Sequence, residues 1–236
     1  MKRYLILISL VFALKTHAQK NEFGLRAGVG ASMLTTLFHS TDEYEEQTFW
    51  PQLTGNLGLY YAYAWRSGIM IHTDPNFFFM RGKETMRNQI IYSSGPSGTF
   101  AYDTLLRTFN AVAVPVHIGM YAVGKWSYLL GAQVNYYFNR GGHEKGSWTE
   151  PNGVFHSWDN RYTEDQYGTD KFDFGLSGGA LYLLNDKISL DVRAFASMHN
   201  LANGEIAQYW KWKVYLITFG VNYSLYKTPP TAVSDP

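Results

Sequence analysis

Apolar and polar residues alternate along most of this chain, and they do so with the period of a strand rather than a helix. From Val214 to Tyr226, every second residue (Tyr215, Ile217, Phe219, Val221, Tyr223, Leu225) is apolar or aromatic, while Thr218, Gly220, Asn222 and Ser224 between them are small or polar. The segment around Tyr128 to Phe138 repeats the pattern, with Leu130, Ala132, Val134 and Tyr136 on one face and Gly131, Gln133 and Asn135 on the other. Side chains of a strand point alternately to its two faces, so each segment has one greasy face and one that is wet or tightly packed. Five further segments read the same way, at about residues 23–33, 53–65, 109–121, 171–184 and 188–198. An eighth, 69–80, is less regular: Thr73 and Pro75 fall on its apolar side, and a proline that cannot donate to the ladder predicts a bulge or strand end there.

The connections also alternate. Residues 66–68, 123–126 and 185–187 are tight and turn-like, whereas 34–52, 81–107, 139–170 and 199–213 are long and polar. Eight alternating segments with short turns at one end and long loops at the other predict an all-β, eight-stranded antiparallel up-and-down transmembrane β-barrel, with short periplasmic turns and long extracellular loops. A soluble barrel would carry its apolar face inside. Here the charged residues, glycines and amides share the face opposite the apolar set, which fits a lipid-facing wall.

The start of the chain supplies the address. Lys2 and Arg3 precede the apolar run Tyr4 to Leu14, and Thr16-His17-Ala18 follows, so residues 1–18 read as a signal peptide. That run is too short to span a bilayer as a helix. The expected organisation is a removed signal at 1–18, a barrel at 19–226 and a disordered tail at 227–236. The expected location is the outer membrane, with outer-membrane lipid as a partner.

Composition narrows the chemistry. Removing Lys2, Arg3 and Lys15 from the 20 basic residues leaves 17 against 19 acidic ones, a formal charge of −2 that offers nucleic acid no footprint. There is no cysteine, which excludes disulfides, thiolate metal sites and cysteine nucleophiles. Aromatic residues form 17% of the chain, 18 of them tyrosine and 7 tryptophan. They gather near both ends of the segments: Trp65, Trp126, Tyr128 and Tyr226 at one, Phe49, Trp50, Tyr136, Phe138, Phe172 and Tyr215 at the other, as interfacial belts do.

Several short motifs resemble a known family. Phe23-Gly24-Leu25-Arg26-Ala27-Gly28, Ala113-Val114-Pro115-Val116, Phe172-Asp173-Phe174-Gly175-Leu176 and Ser189-Leu190-Asp191-Val192-Arg193-Ala194 are similar to strands of the PorT-type outer-membrane β-barrel family of Gram-negative bacteria. The third strand departs from that pattern, with His72 or Asp74 where an inner glutamate belongs. The resemblance implies location and fold over residues 23–226. It does not transfer a function, because members are diverse, some being linked to secretion and gliding machinery.

The inner face is expected to hold Arg26, His72, Asp74, His117, Asp173, Asp191 and Arg193. Buried charges need partners, so one reading is a plug in which Arg26 and Arg193 pair with Asp173 and Asp191. The other is a narrow polar path or a proton-linked switch at His72 and His117. No cofactor or metal is expected: the acidic runs 42–46 and 159–170 lack a calcium-loop pattern. Ser157 beside His156, or Ser197 near His199, would supply pieces of an esterase, but no third group orients them and no enzyme is expected. The longest loop holds Trp148, Phe155, Trp158, Tyr162 and Tyr167, residue types that favour binding surfaces. The resulting expectation is a non-enzymatic barrel acting in binding, envelope assembly or secretion-associated interactions through its long loops, with another envelope or secretion-machinery protein, a surface glycan or a lipid as the partner, and with a narrow small-solute channel and a lipid-modifying enzyme as alternatives.

Overall fold

The computed structural model describes residues 18–38, 46–65, 68–90, 99–121, 124–150, 153–163, 170–202 and 210–228. The expected signal peptide up to residue 17 and the tail beyond residue 228 lie outside them. The strands are β1 (Ala18–Phe38), β2 (Glu46–Trp65), β3 (Ile69–Thr73), β4 (Asn76–Ile90), β5 (Thr99–Tyr121), β6 (Trp126–Thr149), β7 (Phe155–Thr163), β8 (Phe172–Leu183), β9 (Ile188–Ser197) and β10 (Trp210–Lys227). Every pairing between them is antiparallel, and the ring closes because β1 pairs with β2 on one edge and β10 on the other. β3 and β4 together make one wall strand, both lying between β2 and β5. With β7 set aside as an arm on β6, the ring has the eight walls that the alternation predicts.

The faces follow the pleat. Trp212, Val214, Leu216, Thr218 and Asn222 of β10 are buried, while Tyr215, Ile217, Phe219 and Val221 between them are exposed. Exposed apolar residues form a band around the outside, from Val112 to Met120 on β5 and from Trp126 to Tyr136 on β6. The band is continuous rather than scattered, with Leu130 71% and Val29 63% exposed, as suits a lipid-facing wall. At the short-link end, Gly68 (φ 82°) and Gly124 (φ 75°) adopt the left-handed conformation that tight turns favour.

One expectation needs correction, and the strand end expected near Pro75 is found. The segments 34–52, 81–107 and 139–170 are largely strand, not loop: β1 runs on to Phe38, β4 to Ile90, β5 starts at Thr99 and β6 reaches Thr149. In these extensions the alternation reverses phase. Met80, Met86, Leu105 and Phe109 are buried, and Arg81 and Thr108 are exposed, because the wall there stands in water. The break at Asp74-Pro75 interrupts the ladder without exchanging faces, since His72, Asp74, Asn76 and Phe78 are all buried; Leu59 N–H donates to the Pro75 carbonyl across the gap (3.0 Å). At the C-terminal end of the described residues, Lys227 belongs to β10, and Thr228 bonds the Asn21 backbone through both its amide and its hydroxyl.

Candidate functional site

The seven charged or histidine residues expected on the inner face are all buried there. Four of them, Arg26, Asp74, Asp191 and Arg193, meet in one lattice at mid-height. Arg26 of β1 grips Asp191 of β9 with two parallel bonds, Nη2 to Oδ1 (2.7 Å) and Nε to Oδ2 (3.0 Å). Its remaining donors reach Asn56 Oδ1 (2.8 Å) and Thr218 Oγ1 (3.1 Å). Arg193, two residues along β9 from Asp191 and so on the same face, donates from Nη1 to Asp74 Oδ1 (2.7 Å). Longer contacts of 3.6 Å, Arg26 to Asp74 and Arg193 to Asp191, cross-link the two pairs. Two guanidinium and two carboxylate charges thus cancel inside the lumen, the condition under which buried ions are tolerated. Gly220 makes this possible: a Cβ there would stand 2.8 Å from an Asp191 oxygen and 3.0 Å from Arg26 Nη2.

The arginine–Asp173 pairing does not form. Asp173 instead accepts from Ser197 Oγ (2.6 Å) and Tyr137 Oη (3.0 Å). Asp74, at the break between β3 and β4, takes the arginine instead. The ligand atoms of His72, Asp74 and His117 lie within 4.8 Å of one another. Arg193 Nη1 sits among them, 2.7 Å from the Asp74 oxygen and 3.4 Å from His117 Nδ1, so a guanidinium holds the place a metal would need. His117 is fixed from its other edge by Ser177 Oγ (2.8 Å). The void beside this lattice is about 10 Å³, the space of one water.

Above the lattice the lumen turns apolar. Phe78, Met80, Phe109, Phe195, Trp212 and Leu216 pack together there, and Leu201 and Ala202 fold in from the β9–β10 connection to cap them. Arg107 lies over the Trp212 ring, 3.9 Å from its centroid. Higher still is a carboxyl group cluster. Thr36 donates to Glu84 (3.0 Å), and the Asp103 carboxyl is pushed up to about 7 by its burial and by the nearby Glu144 and Glu84 carboxylates.

Above the rim, β6 and β7 form a hairpin arm, and among the described residues β7 pairs with β6 alone. Trp158 lies over Gly146, where a Cβ would collide with the indole, and donates to Glu144 (2.9 Å). Trp148 stacks on His156 at 4.3 Å, on the same face of the arm. Phe155 stands at the tip, 66% exposed. Along the opposite face, Lys145 (2.8 Å) and His143 bond Asp159 and hold its carboxyl down to about 2. The Tyr162 side chain and Tyr167 lie outside the described residues.

Solved outer-membrane barrels resemble this chain in fold. OprG of Pseudomonas aeruginosa is 13% identical, with 90% of this chain and 97% of that one covered and a TM-score of 0.44. Neisserial surface protein A is 10% identical, with 86% and 97% covered and a TM-score of 0.39. Ail of Yersinia pestis, solved with the heparin analogue sucrose octasulfate, is 11% identical, with 87% and 99% covered and a TM-score of 0.37. No family model and no curated protein matches.

The serine–histidine pairs do not assemble. Ser197 Oγ bonds Asp173 and the His199 carbonyl, while the His199 ring bonds Asp170 (2.8 Å). His156 bonds Glu150 (2.8 Å), and Ser157 faces the other side of β7. Sequence reasoning missed Asn56, Thr218 and Asn222, which complete the lattice, and the rim group of Glu84, Asp103, Arg107 and Glu144. The first three sit at inward positions of recognised strands and were legible by parity. The rim group lies where reversed phase disguises strand as loop.

Proposed function

We propose that this chain is a non-enzymatic outer-membrane barrel that holds a protein partner of the envelope or its secretion machinery on the β6–β7 arm. The observation that carries the reading is the contrast between a lumen packed by its charged and apolar layers and an arm whose outer edge is unpaired among the described residues. The exposed apolar band and the aromatic residues at both of its ends support the membrane placement, as does the resemblance to PorT-type barrels. On this reading the short links are periplasmic and the arm is extracellular.

A free strand edge offers a row of backbone donors and acceptors to an incoming extended segment. On β7 that edge is stiffened rather than loose. Trp158, Trp148 and His156 brace one face, the Asp159 ion pairs brace the other, and Phe155 at the tip provides an apolar anchor. Aromatic anchors of this kind dominate binding energy at interfaces.

The test is crosslinking and pull-down from intact cells, comparing wild type with a barrel lacking residues 145–166. Loss of partners from a deletion that still folds and inserts is the expected result. Retention of every partner overturns the reading. Planar-bilayer recordings address the lumen: a closed baseline is expected, and steady ion conductance would favour a solute channel instead.

A further inference from the structure

The hydrogen-bonding phase of the β6–β7 arm can be read from its turn. Glu150 N–H donates to the Val154 carbonyl (2.8 Å) and Gly153 N–H to the Glu150 carbonyl (2.9 Å), with Gly153 left-handed at φ 88°. Glu150 and Val154 are therefore a bonded pair. Directly opposite residues of an antiparallel ladder alternate between bonded and non-bonded pairs. The register runs without a shift from Thr149 opposite Phe155 to Gly141 opposite Thr163. His156, Trp158 and Asn160 accordingly direct their backbone groups at β6. Phe155, Ser157, Asp159 and Arg161 direct theirs to the other side, where no strand pairs among the described residues. Natural sheets guard such edges with proline, a bulge or brevity. β7 is 9 residues long and has neither proline nor bulge.

The side chains beside this edge carry a charge pattern. Phe155, Ser157, Asp159 and Arg161 share one face of the arm with Lys145 and His143. Lys145 (2.8 Å) and His143 both hold Asp159. Arg161, opposite His143, is exposed and makes no ion pair among the described residues. The other face is closed on itself, with Trp158 bonded to Glu144 and His156 to Glu150. An incoming strand thus meets a guanidinium without an anion at one end, a neutralised carboxylate in the middle and the exposed Phe155 ring at the other end.

We propose that the partner held on the arm, a reading on which this inference rests, adds an extended segment antiparallel to β7, with an acidic residue opposite Arg161 and an apolar residue opposite Phe155. Antiparallel addition is the more stable arrangement, and pairs opposite Arg161, Asp159 and Ser157 supply roughly six backbone bonds, two for each bonded pair. Along the incoming chain, the residue two places after the acidic one faces Asp159 and is not itself acidic, because like charges directly opposite repel. The apolar residue follows six places after the acidic one. A second copy of this chain does not fit: two barrels in one membrane raise their arms in the same direction, so their β7 edges cannot meet antiparallel.

The experiment uses the full barrel, ¹⁵N-labelled, in lipid nanodiscs, with the peptide N-acetyl-Ser-Asp-Thr-Lys-Val-Thr-Thr-Phe-Ser-amide as probe. Saturable exchange protection of the Ser157, Asp159 and Arg161 amides is expected, with those of His156, Trp158 and Asn160 unchanged. N-methylation of the peptide at its lysine removes a donor aimed at Asp159 and should abolish binding, whereas N-methylation at its valine, whose N–H faces away, should not. Replacing the peptide's aspartate by lysine should weaken binding about fivefold, the upper end for a cross-strand charge pair, and Arg161→Glu should reverse that preference. Ser157→Pro removes one edge-facing N–H from a position where proline leaves the pairing with β6 intact; it should lose the peptide while Trp158 still packs on Gly146. Equal binding of both N-methyl peptides, no alternation in protection, or no reversal in Arg161→Glu overturns the proposal. If deleting residues 145–166 removes the cellular partners while the intact arm shows no alternating protection, strand addition falls and the partner reading stands. If the deletion keeps every partner while the peptide binds as described, the partner reading falls and the arm remains a strand acceptor.

Discussion

The middle and the top of this lumen solve one problem by opposite means. An eight-stranded barrel is just wide enough for side chains to fill it. At mid-height the filling is Arg26, Asp74, Asp191 and Arg193, directional and electroneutral. One level higher it is Phe78, Phe109, Phe195 and Leu216, bulky and without polar ends. The first is specified by bond geometry and tolerates no missing member. The second is specified by volume and tolerates exchange among residues of similar size. A barrel built only in the second way would slide in register more easily, because apolar side chains do not discriminate between neighbours two residues apart.

The largest effect should come from unbalancing the lattice. Asp74→Ala leaves Arg193 buried without its closest anion, and should cost about 3–5 kcal/mol in urea unfolding from lipid vesicles. The double change Asp74→Leu with Arg193→Met should recover most of that loss, since a buried pair replaced by apolar residues of similar volume is often neutral. A single mutant no weaker than a surface substitution would break the contrast. In the apolar layer Phe109→Ala should cost about 3 kcal/mol through the cavity it leaves, and Phe109→Leu clearly less. A Phe109→Leu cost equal to that of Asp74→Ala would show that both layers are held by geometry.

The smallest effect sharpens the comparison at the rim, where carboxyls gather without balance. Asp103 titrates near 7 because it is buried beside Glu144 and Glu84. A carboxyl raised in the folded state stabilises the fold fully below its unfolded pKa, near 4, and loses that contribution as pH rises through 7. Amide protection in residues 99–107 and 141–147, corrected for the intrinsic base catalysis of exchange, should therefore fall between pH 4 and pH 7. Asp103→Asn should flatten that dependence while leaving global unfolding almost unchanged. A pH response that survives Asp103→Asn would assign the titration to another group.

Much of the wall was legible in the sequence because lipid outside and polar packing inside impose a simple alternation. β10 and β6 carry it without a fault from Ile217 to Tyr223 and from Leu130 to Tyr136. Legibility failed where the outside becomes water. Between Arg81 and Met86, and again between Thr104 and Phe109, the period of burial is still two, but Arg81 and Thr108 face outward while Glu84 and Arg107 are buried beside Met86, Leu105 and Phe109, so neither face reads as uniformly apolar and the stretch looks like a polar loop. The charged lattice was half legible. Parity put Arg26, Asp74, Asp191 and Arg193 on the inner face, but which aspartate meets which arginine depends on the height of each strand in the ring. The Asp74-Pro75 bend hid that height for β3.

The lattice also bears on how the barrel comes into being. Its bonds join residues 165 apart, Arg26 to Asp191, and 119 apart, Arg193 to Asp74. Local hairpins can form early, but contacts across such separations come late, after the entropy of closing a long chain has been met. Until β1 and β9 are brought to the same axis, each of these charges must stay hydrated, so the growing sheet carries a wet concave face while its convex face enters lipid. Closure expels that water and joins the charges in a single step. The lattice is therefore a latch: it contributes nothing to an open sheet and everything at once to a closed ring, which makes assembly all-or-none and reopening slow.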